Sequence, residues 1–281
     1  MSLLDAVPTV HQAPKKVGPG TYVIQDVQHA LGAPLSVYLN SAVIQGAEPI
    51  VVDTGSARNR EQWLQDVFGL VEPEDVRWVF LTHDDSDHTG NLSQVMDACP
   101  NARLVCSWTL VERFANAYEF PLQRCRWLND GESFDAGDRT LVALRPPVYD
   151  SPATRGLYDT STGVYWAADA FASPVPGGPG VAPADTIADV DPEAWWGGMV
   201  MFGIHALSPW LSMVDATRYA ACVKEVRSHG MSTIISGHSP VIDGPRVEQA
   251  FDMIGRLAGT TPPPCPDQAV LDVMLAAMGG E

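Results

Sequence analysis

The chain of 281 residues is 46% hydrophobic and 18% charged, which is typical of a folded globular protein. Its 34 acidic residues outnumber the 17 lysines and arginines and give a formal net charge of −17. Such a charge repels phosphate backbones and anionic lipid headgroups, which argues against nucleic acid and against a membrane surface as partners.

Stretches rich in β-branched and aromatic residues predict strands in the first half of the chain. These predicted strands cover residues 20–27, 36–45, 48–53, 76–83 and 101–107. Apolar residues at helical spacing predict a helix at 59–70. This alternation of strands and helices is typical of α/β folds.

The second half of the chain repeats the alternation. It predicts strands at 138–144, 162–171 and 232–238, and helices at 216–230 and 244–259, in a helical C-terminal region that runs from about 245 to about 279. The segment at about 172–192 is rich in proline and glycine, which predicts a long loop or lid. We expect one α/β domain over residues 1–281, with two sheets inside outer helices.

The five cysteines form no C-x-x-C pair, a usage typical of a reducing compartment rather than of a disulfide scaffold. They are Cys99, Cys106, Cys125, Cys222 and Cys265. No N-terminal stretch resembles a signal peptide, and no apolar run reaches the length of a membrane span. We therefore expect a cytoplasmic protein.

The stretch "VFLTHDDSDHTGNL" carries the strongest chemical signal. Directly after a buried predicted strand it places His83, Asp85, Asp87 and His88 in one short loop. Without a cation, these groups would suffer carboxylate repulsion and desolvation, which a bound metal relieves. The alternative is a helix-capping loop in which Asp87 is a cap and the histidines lie on the surface.

Two distant residues complete the pattern. "YWAADAF" ends a predicted strand with Asp169, and "STIISGH" ends another with His238. Each has a plain alternative, since Asp169 could form a turn and His238 could be a capping or core histidine. Together with the first loop, they have the arrangement that a two-metal site requires.

The order "VVDTG", "THDDSDHTG", "AADAF" and "SGH" resembles the metallo-β-lactamase superfamily over most of the chain. The resemblance implies an αββα sandwich of two mixed β-sheets flanked by helices. Most hydrolases of that superfamily carry H-x-H-x-D-H, whereas Asp85 stands here in place of the second histidine. A carboxylate at that position is similar to the diiron branch, the flavodiiron and oxygen-binding diiron proteins, whose loop reads H-x-E-x-D-H.

The resemblance also implies a ligand set and the role of each residue. One metal would be held by His83, Asp85 and Asp150, the other by Asp87, His88 and His238, with Asp169 as the bridge, Asp53 orienting a ligand histidine, and Asp87 and His88 as the catalytic pair. Asp150 stands where the family has a third histidine, because eighteen residues separate it from Asp169. It could instead begin a turn, which would leave His205 as another candidate for that place.

Four carboxylates balance the charge of two divalent ions, so bound water is harder to deprotonate than at a zinc site with a pKa of ~7. Oxygen-rich donors also favour iron or manganese over zinc. We therefore expect a diiron protein that binds or reduces O₂ or NO, an oxidoreductase rather than a hydrolase. Too few residues follow Gly259 for a flavodoxin module, so the resemblance implies an external flavoprotein electron donor, and it alone implies a homodimer.

Two other functions remain open from the sequence. The first is a hydrolase that cleaves an ester, lactone, thioester or phosphoester with a metal-bound hydroxide, zinc being the usual metal. Trp195, Trp196 and His205 would then line the substrate pocket, unless the tryptophans are core or interface residues. The second is a degenerate site with a binding role.

Overall fold

The computed structural model describes residues 9–30 and 33–278, and within them strands and helices follow the predicted alternation. The strands are β1 (Thr9–Gly18), β2 (Thr21–His29), β3 (Leu35–Ile44), β4 (Ile50–Val52), β5 (Trp78–Phe80), β6 (Arg103–Cys106), β7 (Cys125–Trp127), β8 (Ser133–Asp135), β9 (Thr140–Leu144), β10 (Gly156–Asp159), β11 (Val164–Trp166), β12 (Val175–Pro176), β13 (Thr233–Ile235) and β14 (Ile242–Asp243). The α-helices are α1 (Arg60–Leu70), α2 (Ser86–Thr89), α3 (Leu92–Ala98), α4 (Trp108–Phe114), α5 (Pro192–Met201), α6 (Ala216–Arg227), α7 (Pro245–Ile254) and α8 (Gln268–Met278). A π-helical turn, Phe202–Leu207, continues α5.

The strands form two mixed sheets. The first has the order β1-β2-β3-β4-β5-β6-β7, with β12 beside β3. It is antiparallel as far as β4 and parallel from β4 to β7. The second has the order β14-β13-β11-β10-β9-β8, in which only β11 and β13 run parallel among the described strands.

Alternate side chains of each strand point to opposite faces of its sheet, which builds three apolar layers. Val52 and Trp166 lie in the core between the sheets. Val51 faces outward and packs with residues of α1, α3 and α4. Tyr165 faces the other way and packs with residues of α5, α6 and α7. The αββα sandwich of two mixed sheets flanked by helices is therefore confirmed.

Parallel pairing places the candidate site residues at one edge of each sheet. β4 and β5 run parallel with Val52 opposite Phe80, so Asp53 and the segment leading to His83 leave the sheet at the same end. β11 and β13 run parallel with Trp166 opposite Ile235. His83, Asp169 and His238 each come three residues after the last residue of a strand.

Strand β1 was not predicted, and the reason lies in its irregularity. It is the edge strand of the first sheet, and its register with β2 shifts between Gln12 and Lys15, on either side of Pro14. Proline cannot donate to a sheet ladder, so within strands it is tolerated at edges and bulges. The alternation that marks an interior strand is therefore interrupted.

The segment predicted as a loop at about 172–192 is mostly irregular but contains two short regular elements. Val175 and Pro176 pair with β3, and a one-turn 3₁₀ helix spans Ile187–Asp189. Helix α5, which was not predicted, begins at the end of the segment.

The single-domain assignment of residues 1–281 stays a prediction. In the described part of the chain, no helix is both long and apolar enough to cross a bilayer.

Candidate metal centre

Seven side chains from four separated segments converge where the strand ends meet. They form three overlapping groups, and within each group one ligand atom per residue lies within 4.8 Å of the others. The groups are His83 with Asp85 and Asp150, Asp87 with His88 and His238, and His83 with His88 and Asp169. The first two have the composition of the two predicted halves of the site, and the third joins the halves.

Asp169 lies at the middle of the cluster and is only 3% exposed. Its Oδ1 lies 3.0 Å from Nε2 of His88. Its Oδ2 lies 3.4 Å from Nε2 of His83 and 3.4 Å from Nε2 of His238. One carboxylate therefore faces histidines of both halves, which is the geometry of a bridging ligand.

Two of the histidines are oriented by acceptors on the side away from the cluster. His88 Nδ1 lies 2.8 Å from Oδ2 of Asp53, and His238 Nδ1 lies 2.9 Å from the carbonyl oxygen of Tyr38. A carboxylate and a carbonyl only accept hydrogen bonds, so each Nδ1 carries the proton. Each Nε2 then turns a lone pair toward the centre, as a metal-binding histidine requires.

The third histidine is oriented through a relay. The Thr82 hydroxyl donates to the Asp53 carboxylate, at 2.9 Å from Oδ2, and its oxygen lies 2.9 Å from Nδ1 of His83. Because that hydroxyl proton is used on Asp53, its oxygen accepts from His83. Asp53 also accepts from the Trp166 indole at 3.0 Å. This buried carboxylate contacts His88 directly and His83 through Thr82, so it adjoins histidines of both halves.

The inner face of the cluster has unsatisfied polar atoms. Nε2 of His83, Nε2 of His88 and Oδ1 of Asp169 are buried and make no hydrogen bond. Buried polar atoms are nearly always paired, so each such atom calls for an explanation. Lone pairs aimed at a common point are the donors that a cation needs. The residues present fit a metal at this position.

The charges in the cluster favour a positive charge at its centre, either on the imidazoles or on a bound cation. Burial lowers the pKa of His238, but the carboxylates of Asp169 and Asp87 raise it by more, to about 9. Burial would raise the pKa of Asp169, but His238, His88 and His83 hold it well below its ordinary value. The carboxylates thus favour a positive charge among the imidazoles, and a divalent cation bound there would supply that charge in place of protons.

The half of the site that contains Asp150 is the more open one. The Asp85 side chain is 52% exposed, and Asp150 is also exposed. Asp84, which was not among the predicted site residues, links two segments on this exposed side of the cluster. Its Oδ1 accepts from the hydroxyl of Ser151 at 2.7 Å, and its Oδ2 accepts from Nε of Arg113 at 2.8 Å. This contact fixes the first loop to the segment that carries Asp150.

The backbone around the cluster is strained and closely packed. Asp53, Ala168 and Phe171 have φ values of 55°, 49° and 65°, in a region that costs non-glycine residues of order 1–3 kcal/mol each. Gly237 precedes His238, and a Cβ there would lie 2.6 Å from Oδ1 of Asp169. Only glycine fits this position without displacing the central carboxylate.

The structure does not bring the three predicted pocket residues to the centre. Both ring nitrogens of His205 face away from it, toward the Pro263 carbonyl and the Cys265 thiol. Trp195 is fully buried in the core behind the second sheet, and Trp196 is partly buried under the Arg256 guanidinium. The alternative of core tryptophans therefore describes Trp195, and His205 is no substitute for the missing histidine ligand. The ring of Phe202 does adjoin the centre, 5.3 Å from the His238 ring.

Comparison with known proteins gives the family and the fold. A family model described as "ODP family beta lactamase" matches residues 37–236. The anaerobic nitric oxide reductase flavorubredoxin of Vibrio vulnificus is 25% identical over 133 residues, which are 47% of this chain and 27% of that protein. The chain spans less than a third of the length of the curated relatives it matches.

Solved structures share the fold at lower identity. The flavodiiron protein from Giardia intestinalis superposes with a TM-score of 0.69 at 17% identity, covering 87% of this chain and 59% of that one. Rubredoxin oxygen:oxidoreductase from Desulfovibrio gigas superposes with a TM-score of 0.70 at 14% identity, covering 89% and 62%. At these identities the likeness is one of fold.

Proposed function

We propose that this chain, which belongs to the ODP family of beta lactamases, holds two iron ions and uses them to bind or reduce O₂ or NO. The observation that carries the proposal is the pair of three-residue ligand groups that share contact with Asp169. Relatives named as a nitric oxide reductase and as flavodiiron proteins support this choice of gas and metal.

Each residue has a definite part in this proposal. His83, Asp85 and Asp150 hold one ion. Asp87, His88 and His238 hold the other, as the predicted ligand set requires. Two ferrous ions, when bound, supply two electrons to the gas. The protein holds the imidazoles in the correct tautomer, through Asp53, Thr82 and the Tyr38 carbonyl. These contacts keep the three Nε2 atoms directed at the ions before the ions arrive.

The donor set supports iron over zinc. Four carboxylates and three imidazoles form the cluster, and oxygen-rich sets suit iron or manganese better than softer donors do. The four negative charges equal the charge of two divalent ions. A nearly neutral site stabilises a higher oxidation state of the metal and weakens it as a Lewis acid, which supports redox chemistry over hydrolysis.

We propose that electrons come from a separate flavoprotein. The matched relatives have names that refer to flavin, and they are more than three times as long as the matched region. The side with Asp85 and Asp150 is the exposed rim of the cluster, so a donor that docks there approaches the ions most closely. A homodimer stays a proposal that rests on the family resemblance.

Metal analysis of protein made in iron-supplemented medium tests the proposed function. We expect about two irons per chain, as expected for a two-metal site, and a near-ultraviolet absorption band that grows on air oxidation. Two zinc ions together with esterase activity would instead indicate the hydrolase. A metal-free protein under the same conditions would indicate a binding role.

The substitution Asp150→Ala tests the most unusual ligand. We expect the iron content to fall from about two to about one per chain, because only His83, Asp85 and the bridging carboxylate would remain on that side. Asp97→Ala, which removes an exposed aspartate on α3, is the matched control and should leave the content unchanged. Unchanged stoichiometry in Asp150→Ala would remove Asp150 from the ligand set.

A further inference from the structure

A second cluster of chemically active groups lies outside the metal centre. The thiol sulfur of Cys265 lies 3.1 Å from Nδ1 of His205. On the other side of the ring, Nε2 of His205 lies 2.6 Å from the carbonyl oxygen of Pro263. A nucleophile, a base and a group that orients the base therefore lie in a row.

The carbonyl determines the protonation of the imidazole. A carbonyl oxygen only accepts, so Nε2 of His205 donates to Pro263 and carries the ring proton. Nδ1 then has a free lone pair directed at the Cys265 thiol. An imidazole in this tautomer can accept the proton of the thiol, which is the arrangement that activates a nucleophilic cysteine.

The pair is both accessible and held in place. The Cys265 side chain is exposed, and the surrounding segment reads "TPPPCPD". Each proline fixes its own φ near −65°, so the segment has few conformations to lose when the thiol meets its base. His205 lies within the π-helical turn, an element that occurs frequently at functional sites.

The remaining cysteines lack this combination of features. Burial raises the pKa of Cys99 to about 11 and that of Cys106 to about 12, which suppresses their thiolates. Cys125 is partly buried, and burial raises its pKa as well. Cys222 is exposed like Cys265, but no histidine contact is found for it among the described residues. Cys222 is therefore the matched internal control.

We propose that Cys265 is a thiol-modification site that reacts with low-molecular-weight disulfides. His205 takes the thiol proton as the sulfur attacks one sulfur of the disulfide. The disulfide bond breaks, a mixed disulfide forms on Cys265, and the second half leaves as a thiolate that receives the proton from His205. The exchange requires no other oxidant, and its chemistry is independent of the metal centre.

Incubation with oxidised glutathione, followed by peptide mass spectrometry, measures the reaction at each cysteine. We expect Cys265 to form the mixed disulfide on the order of tenfold or more faster than Cys222, because a positioned base commonly contributes at least that factor. Equal rates at the two exposed cysteines in the unmodified protein would overturn the proposal. This comparison needs no substituted protein.

His205→Gln separates activation by the base from simple exposure. Glutamine can still donate to the Pro263 carbonyl, but it cannot take up a proton. We expect the Cys265 rate to fall to that of Cys222, while the Cys222 rate and the iron content stay the same. A Cys265 rate that is unaffected by this substitution would show that His205 has no part in the reactivity.

Discussion

Replacing Asp169 with asparagine (Asp169→Asn) is expected to abolish the proposed binding of two irons at the candidate metal centre. The two carboxylate oxygens face the histidines of both halves, at 3.0 to 3.4 Å from their Nε2 atoms. A neutral amide offers one accepting oxygen and an NH₂ group, which cannot bind a cation. Metal analysis should find the iron content reduced from about two per chain to a small fraction of one.

A second buried aspartate provides the matched control for this substitution. Asp159 is 1% exposed and pairs with Arg139 at 2.9 Å, and it belongs to none of the ligand groups found in the described chain. Asp159→Asn should lower the thermal stability and leave the iron content intact. Two irons retained in a folded Asp169→Asn protein would exclude Asp169 as a bridge.

The sequence allowed the main features of the fold to be predicted because they depend on local patterns. Strands such as 36–45 and helices such as 216–230 are visible in short windows of residue type. The ends of parallel strands meet at one edge, so polar residues that follow buried strands, such as Asp169 and His238, could be expected to converge. Strand β1 was missed because Pro14 interrupts its pattern.

The supporting contacts of the site could not be predicted in the same way. The role of Thr82 depends on the parallel register that sets Asp53 beside it, and that register is a long-range property. The need for glycine at 237 appears only when the Asp169 carboxylate is seen at its side. The part played by Asp84 is not visible in the motif, because its partner Ser151 is distant in the chain. Residue type indicates a ligand, but three-dimensional packing selects the groups that orient it.

Asp53→Asn is expected to weaken metal binding whichever way the new amide lies. Every partner of the Asp53 carboxylate is a donor: Oδ1 accepts from the Thr82 backbone N–H at 2.8 Å, and Oδ2 accepts from His88 Nδ1 and the Trp166 indole. The NH₂ of asparagine must face donors on whichever side it lies. If it replaces Oδ2, His88 relieves the conflict only by moving its proton to Nε2, the atom that faces the metal. If it replaces Oδ1, the backbone N–H of Thr82 loses its acceptor, which disturbs the residue whose hydroxyl contacts His83.

The backbone conformation at residue 53 does not complicate the interpretation of this experiment. Asp53 has a φ of 55°, and asparagine is among the residues that tolerate the left-handed region best. The measured effect therefore comes from the hydrogen bonds. We expect metal affinity to fall roughly 10–100-fold, and the free energy of unfolding of the metal-free protein to fall by about 1–3 kcal/mol from the unsatisfied donors.

An aspartate–histidine pair outside the ligand groups separates the two effects. Asp26 is 4% exposed, and its Oδ1 lies 3.0 Å from Nδ1 of His11, a contact similar to that between Asp53 and His88. Asp26→Asn should reduce the free energy of unfolding in the same way, without changing metal affinity in a titration of metal-free protein with Fe²⁺. If the two substitutions changed affinity equally, the loss in Asp53→Asn would reflect general destabilisation. A selective loss in Asp53→Asn means that this buried carboxylate prepares the ligand histidines for the ions.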